Sequence, residues 1–218
     1  MKKILVLSIV ILFVLFYLLR QAPEDNKPIV GVYPWQVENL GDGVSRVFGI
    51  VLMETRLKEV NGIFSAKPAI ALYESKEKLT LEAYYKNISL GGLIGSFIFT
   101  LNASRDELEK VKRESHKSER TDNNEIKYKL DMPASIKASQ LRVKNLIYIP
   151  TVQLDEEMIL KRFGEPSQKI KLKTKEQGWH YLYPEKGLDL IYKKEGKEVL
   201  QYVLPRNFNA LLEPLLSR

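Results

Sequence analysis

The chain has 218 residues, 44% hydrophobic and 28% charged, which are the proportions of a globular protein with a buried core rather than of a disordered or fibrous chain. Its formal charge of +7 is spread over many positions, without the basic stretches interleaved with aromatic stacking residues that mark nucleic-acid binders, so no nucleic-acid partner is expected. The absence of cysteine excludes disulfides, thiolate catalysis, cysteine zinc sites, iron–sulfur ligation and a lipid-bearing cysteine.

Ile4 and Leu19 bound sixteen residues without a charge, interrupted only by Ser8. As a helix they extend roughly 24 Å at 1.5 Å per residue, against a hydrocarbon core of about 30 Å. Lys2, Lys3 and Arg20 can reach the headgroups, and Tyr17 suits the interface. This predicts a transmembrane anchor over 1–22. A cleaved secretion signal is the competing reading, but it needs small residues before the cut, where Leu18, Leu19, Arg20 and Gln21 stand. Basic residues before the span favour a cytoplasmic N-terminus. In a bacterium, that makes a single-pass inner-membrane protein with its bulk in the periplasm. Pro23, Pro28, Gly31 and Pro34 among polar residues read as a tether over 23–46.

Two later stretches repeat one order of elements. In the first, Leu57, Val60 and Phe64 recur at helical spacing over 55–64, the helix stops at Phe64-Ser65-Ala66-Lys67-Pro68, and strands are predicted over 69–73, 79–85 and 93–101. In the second, Asp155 caps a helix directing Met158, Ile159 and Phe163 inward, which stops at Phe163-Gly164-Glu165-Pro166. Strands follow over 168–174, 179–183, 188–192 and 198–203. Between the stretches, Ser104 caps a charged helix to about residue 117, then a loop covers 118–124 and strands 125–131 and 146–149. A last helix over 207–216 docks Phe208, Leu211, Leu212 and Leu215. The expected domains are therefore a module over 47–131 and a second over 132–218.

The second stretch, with its Phe163-Gly164-Glu165-Pro166 stop and the meander from Trp179 to Val203, resembles the SmpA/OmlA family of small lipoprotein modules of the outer-membrane barrel-assembly machinery. In tandem, such modules are similar to the architecture of β-lactamase inhibitor protein. The likeness covers about residues 150–204 and, more faintly, 47–101. The lipobox cysteine is missing, so the family's outer-membrane location does not carry over. What the resemblance implies is a scaffold or binding role rather than catalysis.

The candidate sites are few. Of two histidines, His116 lies in a charged helix, and His180 points to the strand face opposite Trp179, Tyr181 and Tyr183. No metal site follows from them, and no cofactor is expected. The glycines at 91, 92 and 95 precede a β-rich run, not the helix that a phosphate loop requires. Asp155, Glu156 and Glu157 suit a helix start without any chemistry. Two surface signals stand out. Lys169, Lys171, Lys173 and Lys175 alternate with Ile170, Leu172 and Thr174, which places four ammonium groups on one strand face. The alternation reads as a solvated, aggregation-resistant edge or as a patch for an anionic partner. Trp179, Tyr181 and Tyr183 read as cross-strand packing or as an exposed interface.

These observations predict an α+β fold with an N-terminal transmembrane helix and two helix-plus-antiparallel-sheet modules. The expected function is a non-enzymatic, envelope-facing interaction or assembly module that holds a protein partner. A binder of anionic lipid or envelope polymer through the lysine stripe is the alternative, and an unrecognised hydrolase the third reading.

Overall fold

The computed structural model describes residues 31–76, 78–173 and 177–217. Thirteen strands and five short α-helices occur among them. The small first sheet is built from β1 (Glu38–Gly41), β2 (Val44–Val47) and β3 (Ile50–Val51). Helix α1 (Leu57–Phe64) then leads into β4 (Ala69–Glu74), β5 (Leu79–Leu90) and β6 (Leu93–Leu101). The intervening segment holds α2 (Arg105–Glu114), β7 (Ser118–Arg120), β8 (Ile126–Lys129) and α3 (Met132–Ser139), and ends in β9 (Val143–Pro150). The second stretch runs through α4 (Glu156–Phe163), β10 (Gln168–Lys171), β11 (Gly178–Tyr183), β12 (Leu188–Lys193) and β13 (Val199–Tyr202), and closes on α5 (Asn209–Leu216).

Both stretches enter one antiparallel sheet of ten strands, ordered β10-β11-β12-β13-β9-β6-β5-β4-β8-β7. The two meanders lie on either side of β9, which pairs with β13 on one edge and β6 on the other. Residues 31–218 accordingly form one compact unit. This corrects the expected fold class of two helix-plus-sheet modules behind a membrane helix: the chain is mostly antiparallel sheet with five short helices among the described residues. No helix among them is long and apolar enough to cross a membrane. The transmembrane, signal-anchor and single-pass expectations, and the inner-membrane placement drawn from them, are therefore not supported by the structure. The segment from Ile4 to Leu19 itself lies outside the described residues.

The helical spacing read in the sequence is what docks α1: Leu57, Val60 and Phe64 are its buried residues. Burying each is worth about 1.5–3 kcal/mol. Together with the odd-numbered side chains of β5 and β6, they build a core of aromatic rings. Phe97 lies 4.7 Å from both Phe64 and Tyr148 between ring centroids, and Phe48 packs edge-on against Phe97 at 5.0 Å. The buried Tyr202 hydroxyl donates to Pro34 O at 2.7 Å and ties the start of the described chain to β13. In α4, Ile159 and Phe163 are buried as expected, whereas Met158 is 42% exposed and faces out.

Candidate interaction face

Strand pairing sorts each strand's side chains onto two faces. Phe97, Phe99, Leu146, Tyr148, Leu200 and Tyr202 lie on the face that packs on the core. On the opposite face, the register links Leu182, Asp189, Gln201, Ile147, Ile98, Tyr84 and Ala69 into one row across seven adjacent strands. Beside this row stand Ile191 paired with Val199, and Ile149 paired with Ser96. The middle of the second face is thus aliphatic: Ile98, Ile147, Ile149, Ile191 and Val199 are half-buried, while Tyr84 and Ile94 are 38% and 47% exposed. Helix α5 covers only the β10–β11 end, where Leu211, Leu212 and Leu215 meet Ile170, Leu182, Val203 and Phe208 in a separate small core.

Polar groups border the aliphatic centre. At one end the His180 Nδ1 stands 2.9 Å from an oxygen of the buried Asp189. A carboxylate removed from water needs such a partner, and the pair spans β11 and β12. At the other end, Glu119 accepts ion pairs from Lys127 at 3.0 Å and Lys129 at 2.9 Å. Burial holds the Glu82 carboxyl above the ordinary carboxylate range, opposed by the Thr80 hydroxyl, which donates to it at 3.1 Å.

The residues singled out in the sequence are distributed differently. Tyr181 and Tyr183 belong to the core: their hydroxyls donate to Glu156 Oε1 at 2.6 Å and to Gly164 O at 2.9 Å. Burial pushes the Tyr183 hydroxyl up to about 12. Trp179 is 41% exposed at the strand's outer end. Lys169 lies over the Tyr181 ring at 4.7 Å and 3.4 Å from Glu156. Lys171 is exposed opposite Trp179, and the Lys173 ammonium donates to Ser217 O at 2.7 Å. Lys175 lies outside the described residues. Lys169 and Lys171 therefore share a strand face with the aromatic residues, at the sheet edge, and the sequence reading treated the two groups separately.

Sequence reasoning missed the aliphatic face. Its signal was present in β9, where Leu146, Ile147, Tyr148 and Ile149 are apolar on both faces, a pattern normally read as full burial. A cleft of about 330 Å³ also opens between α2 and α3 above Leu81. Of its three acids, Glu107 and Asp131 are committed as helix caps to Ser104 N and Ala134 N, and Glu114 stands 3.8 Å from the Lys110 ammonium. Among the described residues no three His, Asp or Glu side chains converge as metal ligands would. No family model, curated protein or solved structure matches this chain.

Proposed function

We propose that this protein is a non-enzymatic interaction module that holds a protein partner against the second face of its ten-stranded sheet. One observation carries the reading: Ile94, Ile98, Ile147, Ile149, Ile191 and Val199, flanked by the Tyr84 ring, form an aliphatic centre that no described helix covers. Contiguous apolar surface left in water is costly, and it marks places where another molecule completes the burial. An apolar centre rimmed by the Glu119–Lys127–Lys129 cluster and the His180–Asp189 pair has the layout of a protein interface, with a dry middle and a polar border. The scaffold role implied by the likeness to SmpA/OmlA modules points the same way.

The test compares cross-linked capture by the wild-type chain and by the Ile98→Lys/Ile147→Lys variant from an extract of the source cells, read by mass spectrometry. Both side chains point away from the core, so the variant keeps its thermal midpoint within about 2–4 °C of wild type. It loses at least about tenfold of the captured partner, because two ammonium groups pressed against apolar surface cost more than the 1.4 kcal/mol equivalent to that factor. Capture of the same proteins at the same yield by both chains, or of none by either, overturns the reading.

A further inference from the structure

The edge of the sheet offers a second surface, distinct from the aliphatic face and independent of it. Strand β10 is the terminal strand, with β11 on one side and no strand beyond it among the described residues. The phase of its hydrogen bonding is set where Leu172 N donates to Gly178 O at 3.0 Å. In an antiparallel ladder, bonded and non-bonded pairs alternate, so Ile170 opposite His180 is a bonded pair, and the main-chain groups of Lys169 and Lys171 turn outward. Two N–H and two C=O groups are thereby presented in the spacing of a β-ladder.

The side chains qualify what can pair there. Lys169 and Lys171 stand on the face of Tyr181 and Trp179. The Lys169 ammonium shares Glu156 Oε1 with the Tyr181 hydroxyl, and no ion pair holds Lys171 among the described residues. On the other face, Ile170 packs against the cluster that α5 forms with Leu182. Lysines at an edge repel a second copy of the same strand, the ordinary device against aggregation. The same charges attract a strand with acids at the matching positions, so one feature both excludes and selects.

We infer that β10 is a docking edge for an extended acidic peptide segment of a partner protein, which adds to the sheet as an antiparallel eleventh strand with the pattern acid, apolar, acid. The two acids lie directly opposite Lys169 and Lys171 and exchange main-chain hydrogen bonds with them. The central apolar residue falls on the side of Ile170 and extends the small core under α5. Affinity comes from the main-chain ladder and selectivity from the paired charges.

The experiment uses the full chain and fluorescein-labelled Thr-Glu-Val-Glu-Val-Thr, with binding read by fluorescence anisotropy and by hydrogen exchange. The peptide binds, the Lys169 and Lys171 amides gain protection, and affinity falls as salt rises. Methylation of the peptide's two glutamate nitrogens abolishes binding. Lys169→Glu/Lys171→Glu weakens it about tenfold, and Thr-Lys-Val-Lys-Val-Thr restores it in that variant. Absence of peptide binding, full-strength binding of the methylated peptide, or equal binding of polyphosphate with no amide protection overturns the inference. The last of these outcomes reassigns the lysines to a nonspecific anion patch. Ile98→Lys/Ile147→Lys, which tests the aliphatic face, leaves peptide binding unchanged.

Discussion

Glu198 is fully buried just ahead of β13, with its Oε2 accepting from Leu154 N at 3.0 Å and its Oε1 without a partner among the described residues. Burial raises its proton affinity above that of an ordinary carboxyl, and the Leu154 hydrogen bond opposes this only in part. The folded chain therefore holds the proton at pH values where the unfolded chain has released it. As pH rises out of the ordinary carboxylate range and through the raised folded value, the contribution of Glu198 to stability falls, and that contribution is greatest below that window. Glu198→Gln removes the titration, so its thermal midpoint exceeds that of wild type at neutral pH and changes less between pH 4 and pH 8. Calorimetric scans across that range check this, and parallel profiles for the two chains refute it. Strand alternation placed His180 opposite Trp179, while its partner Asp189, which it meets at 2.9 Å, carries no local signal in the sequence.

Element boundaries follow local chemistry where caps and periodicity agree. Ser104 receives Glu107 N at 3.3 Å, and Asp155 receives Met158 N at 2.6 Å, so both helix starts fall where the sequence predicts them. Helix α3 was missed although Asp131 caps it and Pro133 stands in its first turn, because only Ala138 is buried and no apolar stripe announces it. Strand β5 runs to Leu90, past the expected stop near residue 85, through a bulge between Tyr85 and Ile88, where Asn87 takes φ 52°. The turn from β11 to β12 depends on Gly187, at φ 62°, where a Cβ would come within 2.1 Å of Val203 O. Left-handed strain and backbone collision act together, so Gly187→Ala costs at least about 2 kcal/mol, readable as a lowered urea midpoint with unchanged slope. A midpoint equal to that of wild type refutes this.

At the scale of the whole molecule, β9 joins the two repeats by pairing with the last strand of each meander, and the buried residues of both form one continuous cluster. Unfolding of either repeat alone would open a ladder along β9 and expose rings such as Phe97 and Tyr148. A single cooperative transition is therefore expected, with urea midpoints coinciding for far-ultraviolet circular dichroism and for fluorescence of Trp35 and Trp179. Separated midpoints would show that the repeats unfold independently.

Alternation and helical spacing in the chain determined most of the strands and helices of both repeats, the inward face of α1, Ile159 and Phe163 of α4, and the edge positions of Lys169 and Lys171, because each is set by residues within a few positions of one another. Only tertiary structure decided that both meanders share one sheet about β9, that Tyr181 and Tyr183 are core while Trp179 is exposed, and that an aliphatic face stays open. Those outcomes depend on pairings between residues far apart in the chain, such as Phe97 with Tyr148 and Tyr148 with Leu200. A strand apolar on both sides does not itself reveal which side the helices will cover.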